Sequence, residues 1–173
     1  MPDEVLEVLF TEAEIRSRVH DLARQITADY TLRQLVLVSV LRGSVFFATD
    51  LARQIELPLA MDFLSISSYG EDSEGVVRIT KDLEENIAGK DVLMIEDIVD
   101  TGVTLKYLVR TLASRNQKSL EVCALLDRRA RRIIEIDLKY IGFEIPDKFV
   151  VGYGLDYRQR FRNLPYIGVV RPR

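Results

Sequence analysis

The stretch of the chain richest in chemistry is Val92 to Leu105, VLMIEDIVDTGVTL, where an apolar run meets two adjacent carboxylates, then Asp-Thr-Gly, then an amphipathic segment. The apolar run suits a strand buried on both faces. Asp100, Thr101, Gly102, Val103 and Thr104 make a short turn whose amides and hydroxyls can converge on an anion. Gly102 permits close backbone approach there, and the amino end of the following helix favours negative charge. Glu96 and Asp97 repel a neighbouring phosphate unless something stands between, and ribose hydroxyls, which donate to carboxylates, are suited to that place. A divalent cation shared with those hydroxyls helps further. The segment therefore asks for a phosphorylated sugar with two free hydroxyls, its phosphate on the turn and its sugar on the acids. The competing reading is a capped helix start with solvated acids.

Such residues act only if a scaffold brings them together. Thr11 followed by Glu14 reads as a capping box, and Ile15, Val19, Leu22 and Ile26 recur at helical spacing, which predicts a helix to Asp29. Leu35 to Val40 predicts a strand, Leu41-Arg42-Gly43-Ser44 a tight loop, and Phe47, Leu51 and Ile55 a second helix. Leu59 to Ile66 predicts another strand, and Ser67 to Gly75 a mobile loop, with Val76 to Thr80 returning from it as a strand. Leu105, Leu108, Val109 and Leu112 place a helix directly after the VLMI strand, and Ser119 to Leu126 supplies the next strand. Strand, helix, strand order implies parallel pairing. Beyond Ile133 the pattern shifts to short extended runs, including Phe149 to Val151 and Tyr166 to Val170. In an open α/β sheet, ligands bind beyond the carboxyl ends of the strands, so the loops after Val40, Ile95 and Leu126 should meet.

Composition bounds what else the chain does. Its 173 residues fit one domain, expected to span 1–173. A lone Cys123 forms no internal disulfide, and no apolar run approaches the ~20 residues needed to cross a bilayer. The acidic opening MPDEVLEVLF lacks a signal-peptide core, so a cytoplasmic setting without membrane attachment is expected. A net charge of −3 argues against nucleic acid as a partner, because such binding needs a broad basic field. His20 is the only histidine, so no histidine metal cluster or Ser/His/Asp triad can form.

The acids and the D-T-G-x-T turn resemble the signature of the phosphoribosyltransferases. Leu41-Arg42-Gly43-Ser44 is similar to that family's pyrophosphate loop, SSYG at Ser67 to Gly70 to its catalytic loop, and Gly142 to Gly168 to its hypoxanthine-guanine branch. The resemblance implies a type I phosphoribosyltransferase fold, which is α/β, with a central, mainly parallel twisted sheet flanked by helices. A small hood from the chain termini, a mobile catalytic loop near 67–80 and a base-binding hood mainly from 133–173 complete it. It implies transfer of a phosphoribosyl group from 5-phosphoribosyl-1-pyrophosphate to hypoxanthine or guanine, in purine salvage, with Mg²⁺ as cofactor and a homodimer or homotetramer as assembly.

Residue roles follow from the same resemblance. Asp100 is the expected general base toward the purine imidazole nitrogen, and Tyr69 closes over the site as a second catalytic residue. Thr101, Gly102, Val103 and Thr104 hold the 5′-phosphate, with Glu96 and Asp97 on the ribose hydroxyls. Leu41, Arg42, Gly43 and Arg162 take the pyrophosphate. Phe149 stacks on the purine, the Val150 carbonyl reads its edge, and Glu96, Asp97 and Asp156 serve Mg²⁺. Asp156 also borders the purine.

One position departs from the branch, which has Lys where Arg128 stands. Both residues donate to a six-oxo group, but guanidinium prefers bidentate recognition and competes for the imidazole nitrogen that Asp100 needs. A single contact or a shifted base is therefore expected. Alternatively, Arg128 belongs to a solvated basic run with Arg129, Arg131 and Arg132. An enzyme using xanthine or another base, and a nucleotide-sensing regulator with the same pocket, remain the alternative functions.

Overall fold

The computed structural model describes residues 5–69 and 76–171. Strand β1 (Val5–Phe10) leads into helix α1 (Glu12–Asp29), then β2 (Leu35–Val40), α2 (Ser44–Gln54), β3 (Leu59–Tyr69) and β4 (Val76–Lys81). The chain continues through β5 (Asp91–Val99), α3 (Val103–Ala113), β6 (Ser119–Asp127), β7 (Tyr140–Glu144), β8 (Val150–Val151) and β9 (Ile167–Val170). The main sheet has the order β4-β3-β2-β5-β6-β7, parallel throughout except for β4. A second, antiparallel sheet of order β1-β9-β8 unites the two ends of the chain. This is the expected α/β arrangement with a small terminal hood.

The pleat explains why the middle strands read as nearly continuous apolar runs. Successive side chains point to opposite faces, and both faces are covered. Leu35, Leu37, Leu93, Ile95, Cys123 and Leu125 pack with α1 and α2, whereas Val36, Val38, Val92, Met94, Val122 and Ala124 pack with α3. Cys123 is therefore an apolar packing residue, its thiol pushed up by burial. The capping box at the start of α1 forms in both directions: Glu14 N–H donates to Thr11 Oγ1, and Thr11 N–H donates to Glu14 Oε2 at 2.8 Å.

The boundaries differ from expectation in four places, each for a traceable reason. β5 continues past Ile95 through both acids to Val99, because its partner β6 also continues, pairing Glu96 with Ala124 and Val99 with Asp127. β3 continues through Ser67 to Tyr69, because Ser67 pairs with Arg78 and Tyr69 with Val76, so the first three residues of the predicted loop belong to a strand. The remainder of that loop lies outside the described residues. β7 joins the main sheet beside β6, so the small sheet takes its later strands only from Val150 onward. Finally, VLEVLF, read only for its acidity, forms β1. Among the described residues no helix is long and apolar enough to cross a membrane.

Candidate active site

The carboxyl ends of β2, β5 and β6 open into two adjoining pockets. A cavity of about 340 Å³ is lined by the 40–43 loop, by Glu96 to Gly102, and by Thr104, Asp156 and Arg162. A second, of about 260 Å³, is lined by Asp100, Arg128, Arg131, Phe149, Val150 and Leu155. Asp97, Ile98, Asp100 and Asp156 line both, so the two form one cleft with two compartments. The loops after Val40 and β5 and the residue following β6 do meet.

The first compartment is built largely from backbone. Gly102 precedes α3 with φ at +84°, a region that costs an L residue strain, and a Cβ there would run into the Ile134 carbonyl. Thr101 Oγ1 accepts from Val103 N–H at 3.3 Å, and Lys106 N–H donates to the Gly102 carbonyl at 2.9 Å, which closes the first turn of α3. Thr101, Gly102 and Thr104 face the cavity. Val103 belongs to the same turn, but its side chain is exposed and absent from the lining. On the opposite wall, Gly43 lies so close to the Asp97 carboxylate that a Cβ would collide with it. The Leu41–Arg42 peptide bond is cis, and Leu41 N–H donates to the Leu64 carbonyl of β3 at 2.8 Å.

Glu96 is buried and Asp97 half-buried. Burial, and secondarily the Asp97 charge, hold the Glu96 carboxyl well above the usual carboxylate range. Burial likewise pushes Asp97 up to about 6. Opposing that push are amide donors, including Ile98 N–H at 2.8 Å, and the positive charge of Arg162. Carboxylates in this condition gain from any ligand that brings hydroxyl donors or a cation. No group of three or more carboxylate, histidine or cysteine ligands gathers among the described residues. A cation held by Glu96, Asp97 or Asp156 would take most of its shell from ligand oxygens and water, which is the usual habit of Mg²⁺.

Charged side chains build the second compartment. Arg128 is only 5% exposed, which removes it from a solvated basic run, and its Nη1 lies 3.5 Å from Asp100 Oδ2. Asp100 Oδ1 and Arg128 Nε are both buried without a hydrogen-bond partner, an unsatisfied state costly enough to call for a ligand or adjustment. Phe149 borders the same space, 37% exposed, with its ring edge-on to Tyr157 at 5.6 Å. Val150 is buried beside it and pairs with Val169. At the mouth, Arg162 Nη2 lies 2.9 Å from Asp156 Oδ1 and donates to Gln159 Oε1 at 3.0 Å, which also accepts from Arg42 at 3.2 Å.

The structure therefore gathers the expected site residues into one cleft, with two exceptions. Val103 lines neither compartment, and the side chain of Tyr69, at the end of β3, lies outside the described residues. Three contributors were not legible in the sequence. Asp127 and Arg132 form a buried ion pair beneath the turn, and Gln159 joins the two arginines at the mouth. Arg132 sits in the run RRARR, where no spacing separates a buried arginine from solvated ones.

Comparison with known proteins agrees with this geometry. A family model described as "Phosphoribosyl transferase domain" matches residues 8–158. A hypoxanthine-guanine phosphoribosyltransferase of Staphylococcus aureus is 49% identical, over 99% of this chain and 97% of its own length. One of Mycobacterium avium is 48% identical, over 99% of this chain and 89% of its own. The crystal structure of a hypoxanthine phosphoribosyltransferase from Staphylococcus aureus superposes with a TM-score of 0.93 at 49% identity, covering 97% of this chain and 92% of that one.

Proposed function

From the premise that this chain belongs to the phosphoribosyltransferase family, we propose that it is a purine-salvage enzyme of the hypoxanthine-guanine kind. It transfers the 5-phosphoribosyl group of 5-phosphoribosyl-1-pyrophosphate to hypoxanthine or guanine, giving the nucleoside monophosphate and pyrophosphate. The observation that carries the choice of base is the Arg128–Asp100 pair lining the compartment bordered by Phe149. An oxopurine carries on one edge an oxygen that accepts from Arg128 and an imidazole nitrogen that addresses Asp100. Adenine offers an amine where that oxygen stands, and leaves the guanidinium without an acceptor.

The remaining roles follow from position. Thr101, Gly102 and Thr104 bind the 5′-phosphate at the amino end of α3. Glu96 and Asp97 accept from the ribose hydroxyls, which repairs the unfavourable burial of both acids. Arg42 and Arg162, with the Leu41 and Gly43 backbone, receive the pyrophosphate, and Tyr69 closes over it. Phe149 stacks on the base while the Val150 carbonyl meets its edge. Asp100 takes the imidazole proton as the glycosidic bond forms, a task suited to a carboxylate because the base acidifies as it attacks. The anionic walls favour the positive charge that develops at the anomeric carbon. Glu96, Asp97 and Asp156 would hold Mg²⁺, which would supply positive charge against the negative charge that builds on the leaving pyrophosphate. A cytoplasmic setting and assembly as a homodimer or homotetramer belong to the same proposal.

The test is a competition among hypoxanthine, guanine, xanthine, adenine and uracil, with the sugar donor and Mg²⁺, read as pyrophosphate release. Oxopurines should win. Preference for adenine would overturn the base assignment, and no release with any base would overturn the enzyme.

A further inference from the structure

Arg132 does not line the cleft, yet it touches the phosphate turn from behind. Its Nε–H donates to the carbonyl of Asp100 at 3.1 Å, and its Cδ lies 3.2 Å from the position a Cβ on Gly102 would occupy. The next two residues act on the next carbonyl, with Ile133 and Ile134 N–H donating to Thr101 O at 2.9 and 3.0 Å. Two consecutive carbonyls of the turn are thus drawn toward the 132–134 segment.

A trans peptide unit is planar, with its C=O and N–H pointing in opposite directions. Drawing the Asp100 carbonyl toward Arg132 therefore sends the Thr101 N–H the other way, and drawing the Thr101 carbonyl toward Ile133 and Ile134 sends the Gly102 N–H the other way. Thr101 and Gly102 line the cavity and the 132–134 segment does not, so the opposite way is into the cavity. Arg132 can do this only if its guanidinium is itself fixed. Asp127, at the end of β6, holds Nη2 in a pair whose side chains are just 6% and 4% exposed. A buried ion pair is weak evidence of stabilisation, because the cost of desolvating both charges offsets their attraction. Its worth here lies in orientation.

We propose that Arg132, clamped by Asp127, is a positioning residue that aims the amides of the Thr101-Gly102 turn at the ligand's 5′-phosphate. The proposal rests on the phosphoribosyl reading of the pocket. It differs from that reading in placing part of the phosphate affinity on a side chain that never touches the phosphate.

The single change Arg132→Met would strand a buried carboxylate and unfold much of the protein, so the informative variant is Asp127→Leu with Arg132→Met, which removes both charges together. The probes are inosine 5′-monophosphate and inosine, measured by calorimetry alongside thermal melting and donor kinetics. The double variant should melt close to the parent and bind inosine within about twofold of it. It should bind the monophosphate roughly tenfold to a hundredfold more weakly, the scale of a lost carbonyl bond and a displaced turn. Its KM for the sugar donor should rise by more than its kcat falls. Parental affinity for the monophosphate in the folded double variant overturns the proposal, as does an equal loss for both ligands. A parent protein that binds inosine as tightly as its monophosphate overturns the phosphoribosyl reading itself, before any variant is compared.

Discussion

The two compartments of the cleft are made by different means. In the compartment proposed for the sugar-phosphate, the groups that line up are mostly main-chain: the turn at Gly102, the carbonyls tied to 132–134, and the Gly43 backbone against Asp97. In the compartment proposed for the base, and at the mouth, they are charged side chains that satisfy one another in part, Arg128 with Asp100 and Arg162 with Asp156. Backbone texture follows the same division. Of the described non-glycine residues with positive φ, Tyr153, Arg158, Gln159 and Phe161 cluster where the chain wraps the mouth. A main-chain cradle suits the part of the substrate that does not vary between bases, because its geometry is set by the fold. Paired charges can exchange partners when a ligand arrives, which suits recognition of a base.

Asp100 stands where the compartments meet, and its removal should cost most. Asp100→Ala is expected to lower kcat by about 10²- to 10⁴-fold, the usual range for a lost general base. The donor KM should change little, since the cradle keeps its other amides. Steady-state kinetics with donor and base varied separately would check this, and an unchanged kcat would remove Asp100 from the mechanism. The next largest effect should come from Gly102→Ala, which places a Cβ on the Ile134 carbonyl at a φ of +84°. Strain and collision together should cost roughly 2–4 kcal/mol in denaturant unfolding, with the donor KM raised and base affinity spared. Equal damage to both compartments would dissolve the distinction between them.

The same contrast decides what the sequence revealed. The cradle was legible because one contiguous string, EDIVDTGVT, carries its acids, its turn and its helix start. The strands that hold it were legible because burial on both faces leaves few polar interruptions, Ser39 and Glu121 among them; only their ends depart from expectation, where pairing with a neighbour outlasts the apolar run. The base compartment depends on Arg128, Phe149 and Asp156, which no local period connects, and their roles came from family resemblance alone. Asp127, Arg132 and Gln159 escaped altogether. What distinguishes them is a partner 5 residues away for Arg132 and one 117 residues away for Gln159, and composition shows neither.

A smaller effect should expose the cost of keeping the cradle acidic. Asp97 has a folded value near 6 against an ordinary 3.8, so between those values the folded, ligand-free protein holds a proton that the unfolded chain has released. The stability contributed by Asp97 should therefore fall as pH rises from about 4 to 6 and then level off. Asp97→Asn removes this dependence and should stabilise the ligand-free protein by roughly 1–3 kcal/mol at pH 7, while weakening donor binding. Urea titrations at pH 4 and pH 7 give the answer, and an equal gain at both would mean that charge is not the cause.

Arg128→Lys should have the smallest effect and bears most directly on the side-chain half of the cleft. Lysine keeps one charge and a donor for the six-oxo group, but it loses the planar fork and the reach that places Nη1 3.5 Å from Asp100. If the arginine is one exchangeable partner among charges, as the orphaned Nε and Oδ1 indicate, the lysine should still prefer oxopurines to adenine. The ratios among hypoxanthine, guanine and xanthine should then shift by less than about tenfold, or 1.4 kcal/mol. Because lysine leaves Asp100 without its close partner, the shift should fall on the base KM, with kcat for hypoxanthine nearly kept. Collapse of kcat, or adenine becoming a substrate, would mean that the guanidinium fixes the base as rigidly as the turn fixes the phosphate, and the two halves of the cleft would then work alike.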